Sequence, residues 1–278
     1  MLHRPKGKSD EEVRRILRTG QVPLGVDIKS IQDPVLRFRT SMRQNQESYT
    51  CFGRNYEIMQ HAEELLPTIQ GSEPKVLVVG PGLAPSPEVT RSVKGIPWTE
   101  GLYCPEPLEV ASMLMRDGRD WKISVLDYDD ALLDIVKHQN IVPVSDYFPD
   151  VPTEYQKSFL PGAERTPVPK LDINHINQQD NPHQVSQIDL VEIPQNVKDR
   201  LSFVGADITE PGLEILGGKF DMIIFAGLHN WIGSETALGN IARMLRPGGY
   251  LVATEVQDEA KNLQDLGFDP RPVHEKIV

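Results

Sequence analysis

The chain has 278 residues, 39% of them hydrophobic, and a formal net charge of −11 at pH 7. That length suffices for one large α/β core with accessory segments and falls short of two full dinucleotide-binding domains. The acidic balance argues against general nucleic-acid binding, which needs a basic surface to neutralise phosphates.

Two cysteines, Cys51 and Cys104, leave no disulfide framework and no four-cysteine zinc site. The opening MLHRPKGKSDEEVRR has no apolar leader core, and no run of about 18 apolar residues occurs. A cytoplasmic protein with no membrane association is expected. Residues up to Gly71 are polar and helix-leaning, with Val13, Ile16 and Leu17 on one short face and Ile58, His61, Ala62, Leu65 and Leu66 on another. We read 1–71 as a helical cover over an α/β domain spanning 72–278. Its basic residues, Arg14, Arg15, Arg18 and those of 37–43, read as solvated helix faces or as a contact for an acidic acceptor.

The first strand lies in KVLVVGPGLAPSPEV, residues 75–89, where an apolar run ends at a Gly-Pro-Gly turn. Glycine there lets the backbone approach a ligand closely, but Pro85 stands where a dinucleotide fingerprint needs its third glycine. The second strand, 122–126, ends in Asp127-Tyr128-Asp129 and runs into the helix pattern Ala131, Leu132, Ile135, Val136. Asp127 can accept from both ribose hydroxyls of an adenosine; the competing reading is a carboxylate that caps the helix, as Asp129 or Asp130 would.

Residues 141–189 carry seven prolines among Asn, Gln and Asp, a composition unable to build a core of its own. A Pro-rich insertion or lid over 141–190 is expected. His175 and His183 fall inside it without carboxylate or cysteine partners at metal-ligand spacing, so no metal site is expected. The third strand, 201–204, ends in Gly205-Ala206-Asp207, where Asp207 can accept from an adenine amino group. The fourth, 220–226, opens into Gly227-Leu228-His229-Asn230-Trp231. Leu238, Ile241, Ala242 and Leu245 then mark a helix face, and Arg246-Pro247-Gly248-Gly249 turns the chain into a fifth strand, 250–254.

Strands alternating with helices predict an α/β fold with a doubly wound, Rossmann-like parallel sheet, an N-terminal helical segment and an insertion after the second helix. On these residues the chain resembles the class I S-adenosylmethionine-dependent methyltransferases. LRPGGYLVATE is similar to their turn before strand five, and GADIT to their adenine-contact position; the likeness spans roughly 75–255. Within that class the chain looks most like the chemotaxis-receptor glutamate O-methyltransferases. Their Gly-Glu-Glu-Pro-Tyr-Ser is matched by Cys104-Pro105-Glu106-Pro107-Leu108-Glu109, their Asp-Ile-Asp by Asp127-Tyr128-Asp129, and their Asn-x-Thr-x-Phe-Phe-Arg by Ser48-Tyr49-Thr50-Cys51-Phe52-Gly53-Arg54. Those enzymes also insert a small subdomain after the second helix.

The resemblance implies S-adenosyl-L-methionine as cofactor, held by Thr50, Gly80, Gly82, Glu106, Asp127, Asp207 and Ala226. Gly80-Gly82 and Glu106 are rival positions for its amino-acid end. The acceptor would be a carboxylate of a protein or small molecule, steadied by Arg54, which otherwise forms a surface ion pair. His229 would act as base for a hydroxyl or amine acceptor, and otherwise is a satisfied loop histidine. Gly227 and Leu228 stand where the receptor family has Arg-Asn. A methyltransferase-like binding or regulatory protein without turnover is the alternative, ahead of a nicotinamide-dependent oxidoreductase.

Overall fold

In the computed structural model the described residues are 9–18, 26–27, 30–31, 40, 52–53, 55–82, 84–85, 102–128, 130–145, 151–168, 188–213, 220–226, 235–253 and 260–269. The apolar runs become strands β1 (Lys75–Val79), β4 (Lys122–Asp127), β8 (Leu201–Gly205), β9 (Phe220–Phe225) and β10 (Leu245–Ala253) of one parallel sheet, ordered β10-β9-β1-β4-β8. Counted along the chain within this sheet the order is 3-2-1-4-5, that of dinucleotide-binding α/β folds. Central strands of such sheets are covered on both faces, which is why β9 is buried at every residue.

Helices supply the cover. α1 (Asp10–Arg18) opens on a reciprocal capping box, in which Ser9 N–H donates to Glu12 Oε2 at 2.9 Å and Glu12 N–H to Ser9 Oγ at 3.3 Å. Its Val13 is buried with Val26, Ile31 and Tyr128, so the N-terminal segment rests on the residue next to Asp127. α2 (Tyr56–Leu65) buries Ile58, Met59 and Ala62. α3 (Glu106–Asp117) starts within the 104–109 motif, where Pro107 suits its first turn, and Gly118 ends it. α4 (Asp130–His138) follows β4. α7 (Glu235–Met244) stops one residue before Leu245, which begins β10 instead of closing the helix face. A short α8 (Ala260–Asp265) follows β10.

Regular elements occur within 141–190, where an insertion or lid is expected. Its described parts fold as a second, antiparallel sheet, β5 (Ile141–Ser145), β7 (Ile188–Glu192) and β6 (Arg165–Val168), in the order β5-β7-β6, with α5 (Thr153–Ser158) between β5 and β6 and α6 (Gln195–Lys198) after β7. Val142, Val144, Phe159, Leu160, Val191 and Ile193 belong to the same apolar cluster as Leu108, Met113, Trp121 and Ile123. Averaged over 141–189 the composition is too polar for a core, but Val142, Val144, Phe159 and Leu160, with Val191 and Ile193 just beyond it, share the core of the main sheet.

The 246–249 turn, which interrupts the pairing of β10 with β9 between Leu245 and Tyr250, is held by the start of β9. A Cβ on Gly249 would lie 3.0 Å from the carbonyl oxygens of Arg246 and Asp221, so backbone packs where a side chain would go. Asp221 pairs with Arg246 and accepts from the Lys75 N–H at 2.7 Å, joining the starts of β1, β9 and β10.

Candidate functional site

Because β1, β4, β8 and β9 run parallel, the chain leaves all four at one edge. Leu126 pairs with Val79, Asp127 with Gly205, and Ile224 with Val78. Gly80 N–H donates to Leu126 O at 2.9 Å, and Ala206 N–H to Asp127 O at 3.0 Å, which ties adjacent strand tips together. Strand order reverses between β1 and β9, and ligands of open α/β sheets bind in the crevice outside that point. Gly80 sits there with φ +59°, and a Cβ on it would point at the Phe225 ring, 3.8 Å from Cε2. The absence of a side chain leaves the mouth of the crevice clear and the turn unstrained.

The two rival positions for the cofactor's amino-acid end prove to be neighbours. The short strands β2 (Ala84–Pro85) and β3 (Leu102–Tyr103) pair antiparallel and bring the chain back to the turn it left. Cys104 Sγ then donates to Pro81 O at 4.0 Å, and its N–H to Gln139 Oε1 at 2.9 Å, which sets the start of α3 beside Gly80-Pro81-Gly82. Burial pushes the Cys104 thiol well up, and the negative charges of Glu106 and then Asp127 add to it. Glu106 and Asp127 therefore share one electrostatic neighbourhood with the turn. Glu106 is buried, and its Oε2 accepts from Asn55 Nδ2 at 3.0 Å, which carries the segment before α2 to the same place.

The remaining expected residues divide. Asp127 is half-buried at the tip of β4, and α4 starts only at Asp130, so Asp127 lies outside the capping position. Asp207 is buried and organises its own turn: Oδ1 accepts from Thr209 N–H at 2.9 Å and Oγ1 at 2.7 Å. Asn240 of α7 donates to the Ile208 carbonyl at 2.8 Å and to that of Glu210, fixing this loop from behind. Ala226 follows the last residue of β9 and is half-buried. Thr50, Arg54 and His229 lie outside the described residues, as do His175 and His183. Among the described residues no group of three or more His, Cys, Asp or Glu could hold a metal ion, and no helix is long and apolar enough to cross a membrane.

The sequence reading missed Asn55, Asn240 and Glu109. Only Glu109 left a signal, since Glu106 and Glu109 at i and i+3 share a helix face that is otherwise apolar.

A family model described as a methyltransferase domain matches residues 173–253, less than a third of the chain. The stretch includes β7 through β10, with Asp207 and the Pro-Gly-Gly turn, but not Gly80, Glu106 or Asp127. No curated protein matches the chain. Among solved structures it is similar to the glycopeptide N-methyltransferase MtfA complexed with S-adenosyl-L-methionine, at 11% identity and a TM-score of 0.31 over 69% of this chain and 53% of that one. The chain thus spans about half of that enzyme's length. It is also similar to a TehB-like methyltransferase from Corynebacterium glutamicum, at 14% identity and a TM-score of 0.34 over 77% and 80% of the two chains. A third likeness is to precorrin-8w decarboxylase from Methanobacterium thermoautotrophicum, at 16% identity and a TM-score of 0.33 over 75% and 72%.

Proposed function

We propose that this chain is an S-adenosylmethionine-dependent methyltransferase of the class I type, in which 1–71 covers the site face of an α/β domain formed by 72–278. The observation that carries the reading is the convergence of the Gly80-Pro81-Gly82 turn, Glu106 and Asp127 beside the crevice where strand order reverses. The methyltransferase-domain match over 173–253 supports it from the other half of the sheet. The residues also fit the cofactor chemically. It carries a sulfonium and an ammonium, and the site offers carboxylates with an open glycine turn between them.

In this reading Gly80 and Gly82 give backbone access to the amino-acid end, Glu106 faces its ammonium, and Asp127 accepts from the ribose hydroxyls. Asp207 and Ala226 border the adenine, and Thr50 closes the site from the N-terminal segment. When bound, the cofactor supplies a methyl group already activated by its sulfonium. The protein's part is to hold the acceptor in line, exclude water and orient a lone pair.

Calorimetry with S-adenosylhomocysteine tests this. Binding should raise the melting temperature by mass action, with stabilisation of about 2.7 kcal/mol at a free ligand concentration of roughly 100 Kd. A folded protein with no heat of binding and no shift at millimolar ligand overturns the assignment.

For the acceptor we propose a carboxylate, from the likeness of 48–54 and 104–109 to the receptor methyltransferases. A carboxylate is already ionised near pH 7 and needs no base. Arg54 would hold it by a bidentate pair. The product is then a methyl ester, so label from tritiated cofactor should be released as volatile methanol by alkali. Arg54→Ala should depress turnover more than cofactor binding, and His229→Ala should change little. Label that survives alkali, with activity lost on changing His229 and a rate limb near pH 6 to 7, would mean a hydroxyl or amine acceptor.

A further inference from the structure

Three segments distant in sequence meet at one buried carboxyl that has no part in the site just described. Glu109, in the first turns of α3, is fully buried. Its Oε1 accepts from Gly53 N–H at 3.0 Å and from the Tyr155 hydroxyl at 3.1 Å, so one oxygen joins the segment before α2 and helix α5 of the insertion to a core helix. Its Oε2 is buried with no hydrogen-bond partner among the described residues. Rings close around the contact: Phe52 lies 5.7 Å from Tyr155 and 4.9 Å from Phe159, and Tyr56 stands edge-on to Tyr155 at 4.8 Å.

The charged and titratable groups facing this junction come from every element packed there. From α5 there is Tyr155 itself, and from α2 Tyr56 and Glu63. From α3 come Glu106, held by Asn55, and Arg116, whose guanidinium lies 5.9 Å from the Tyr155 ring centroid. Arg116 is committed to Glu63 through bonds of 2.8 and 2.9 Å and to Ser112 at 2.9 Å. It is therefore not the counter-ion of Glu109.

We propose that Glu109 is a protonation-controlled latch: as the neutral acid it fastens Gly53 and helix α5 onto α3, and its ionisation loosens both. Both donors bind Oε1 in either state, and ionisation strengthens the two bonds. It also places a full charge, with Oε2 unpartnered, in a dry site, and that desolvation outweighs them; opening the junction to water relieves it.

Burial pushes the Glu109 carboxyl up from 4.5 to about 7, opposed by the hydrogen bonds from Gly53 N–H and the Tyr155 hydroxyl. The native state then binds more protons than the unfolded chain between those two values. The stability that the neutral carboxyl contributes is fully present below pH 4.5 and is lost as pH rises through about 7.

The test needs no substrate and so stands apart from the methyltransferase reading. Denaturant unfolding of the full chain and of Glu109→Gln, from below pH 4.5 to above pH 7, should give a ratio of wild-type to variant unfolding constants that rises about tenfold per pH unit inside that window and levels beyond it. Amide exchange over 151–160, normalised to the variant, should accelerate through the same window. Identical pH profiles for the two proteins overturn the proposal. Tyr155→Phe decides the matter independently should Glu109→Gln fail to fold. It removes a donor to the ionised form, so the wild-type midpoint should move to higher pH; an unmoved midpoint overturns the latch.

Discussion

Asp221→Ala is expected to lower the free energy of unfolding by roughly 3 kcal/mol, the low end of what breaking a buried ion pair from one side costs. The carboxylate is 4% exposed, accepts from Lys75 N–H at 2.7 Å and pairs with Arg246, which also donates to Gln70 O at 3.3 Å. Removing it strands a backbone donor at the start of β1 and a guanidinium at the start of β10. The discount comes from Arg246, whose side chain is 31% exposed and regains water. Asp221→Asn keeps an acceptor for Lys75 and should lose less. Because Asp221 sits at the start of β9, at the far end of the sheet from Gly80 and Asp127, binding of S-adenosylhomocysteine should survive wherever the variant is folded. Urea unfolding measures the first effect and calorimetry the second; a loss below about 1 kcal/mol would mean that the pair does not hold the sheet edge together.

Asp127→Ala should weaken S-adenosylhomocysteine binding by roughly 1–3 kcal/mol, a factor of about 5 to 150, the range for a charge-assisted contact to hydroxyls. Its melting temperature without ligand should hardly move, since Asp127 is half-buried at a strand tip and the helix after it begins at Asp130. Loss of affinity without loss of stability is the signature of a ligand contact. The reverse, a lower melting temperature with unchanged affinity, would make Asp127 a residue that only finishes β4.

The parts of this fold legible in the sequence are those fixed by near neighbours. KVLVV and FDMIIF read as buried strands because every residue but Lys75 and Asp221 is apolar, and Gly80 and the Pro-Gly-Gly turn read as turns because only certain residues take those backbone angles. The doubly wound parallel sheet then follows from the alternation of strands and helices, while its 3-2-1-4-5 order emerges only from the pairing of the strands. Asp127 was legible for the same reason, as the carboxylate ending an apolar run.

Tertiary structure decided what no window of the sequence contains. Gly80-Gly82 and Glu106 read as rivals because 23 residues separate Pro81 from Cys104, yet one sulfur-to-carbonyl contact and a two-residue ladder bring them together. The insertion read as coreless because its composition is polar and rich in proline; its few apolar residues are buried by packing into the core of the main sheet, with Val142 paired to Val191. Glu109 has no role in the sequence beyond closing the motif that begins at Cys104; its two donors come from residues 56 positions before it and 46 after it. Backbone preference and turn chemistry are local and can be read along the chain. Desolvation and the partner that offsets it belong to the packed state, and the chemistry of Glu106 and Glu109 rests on those alone.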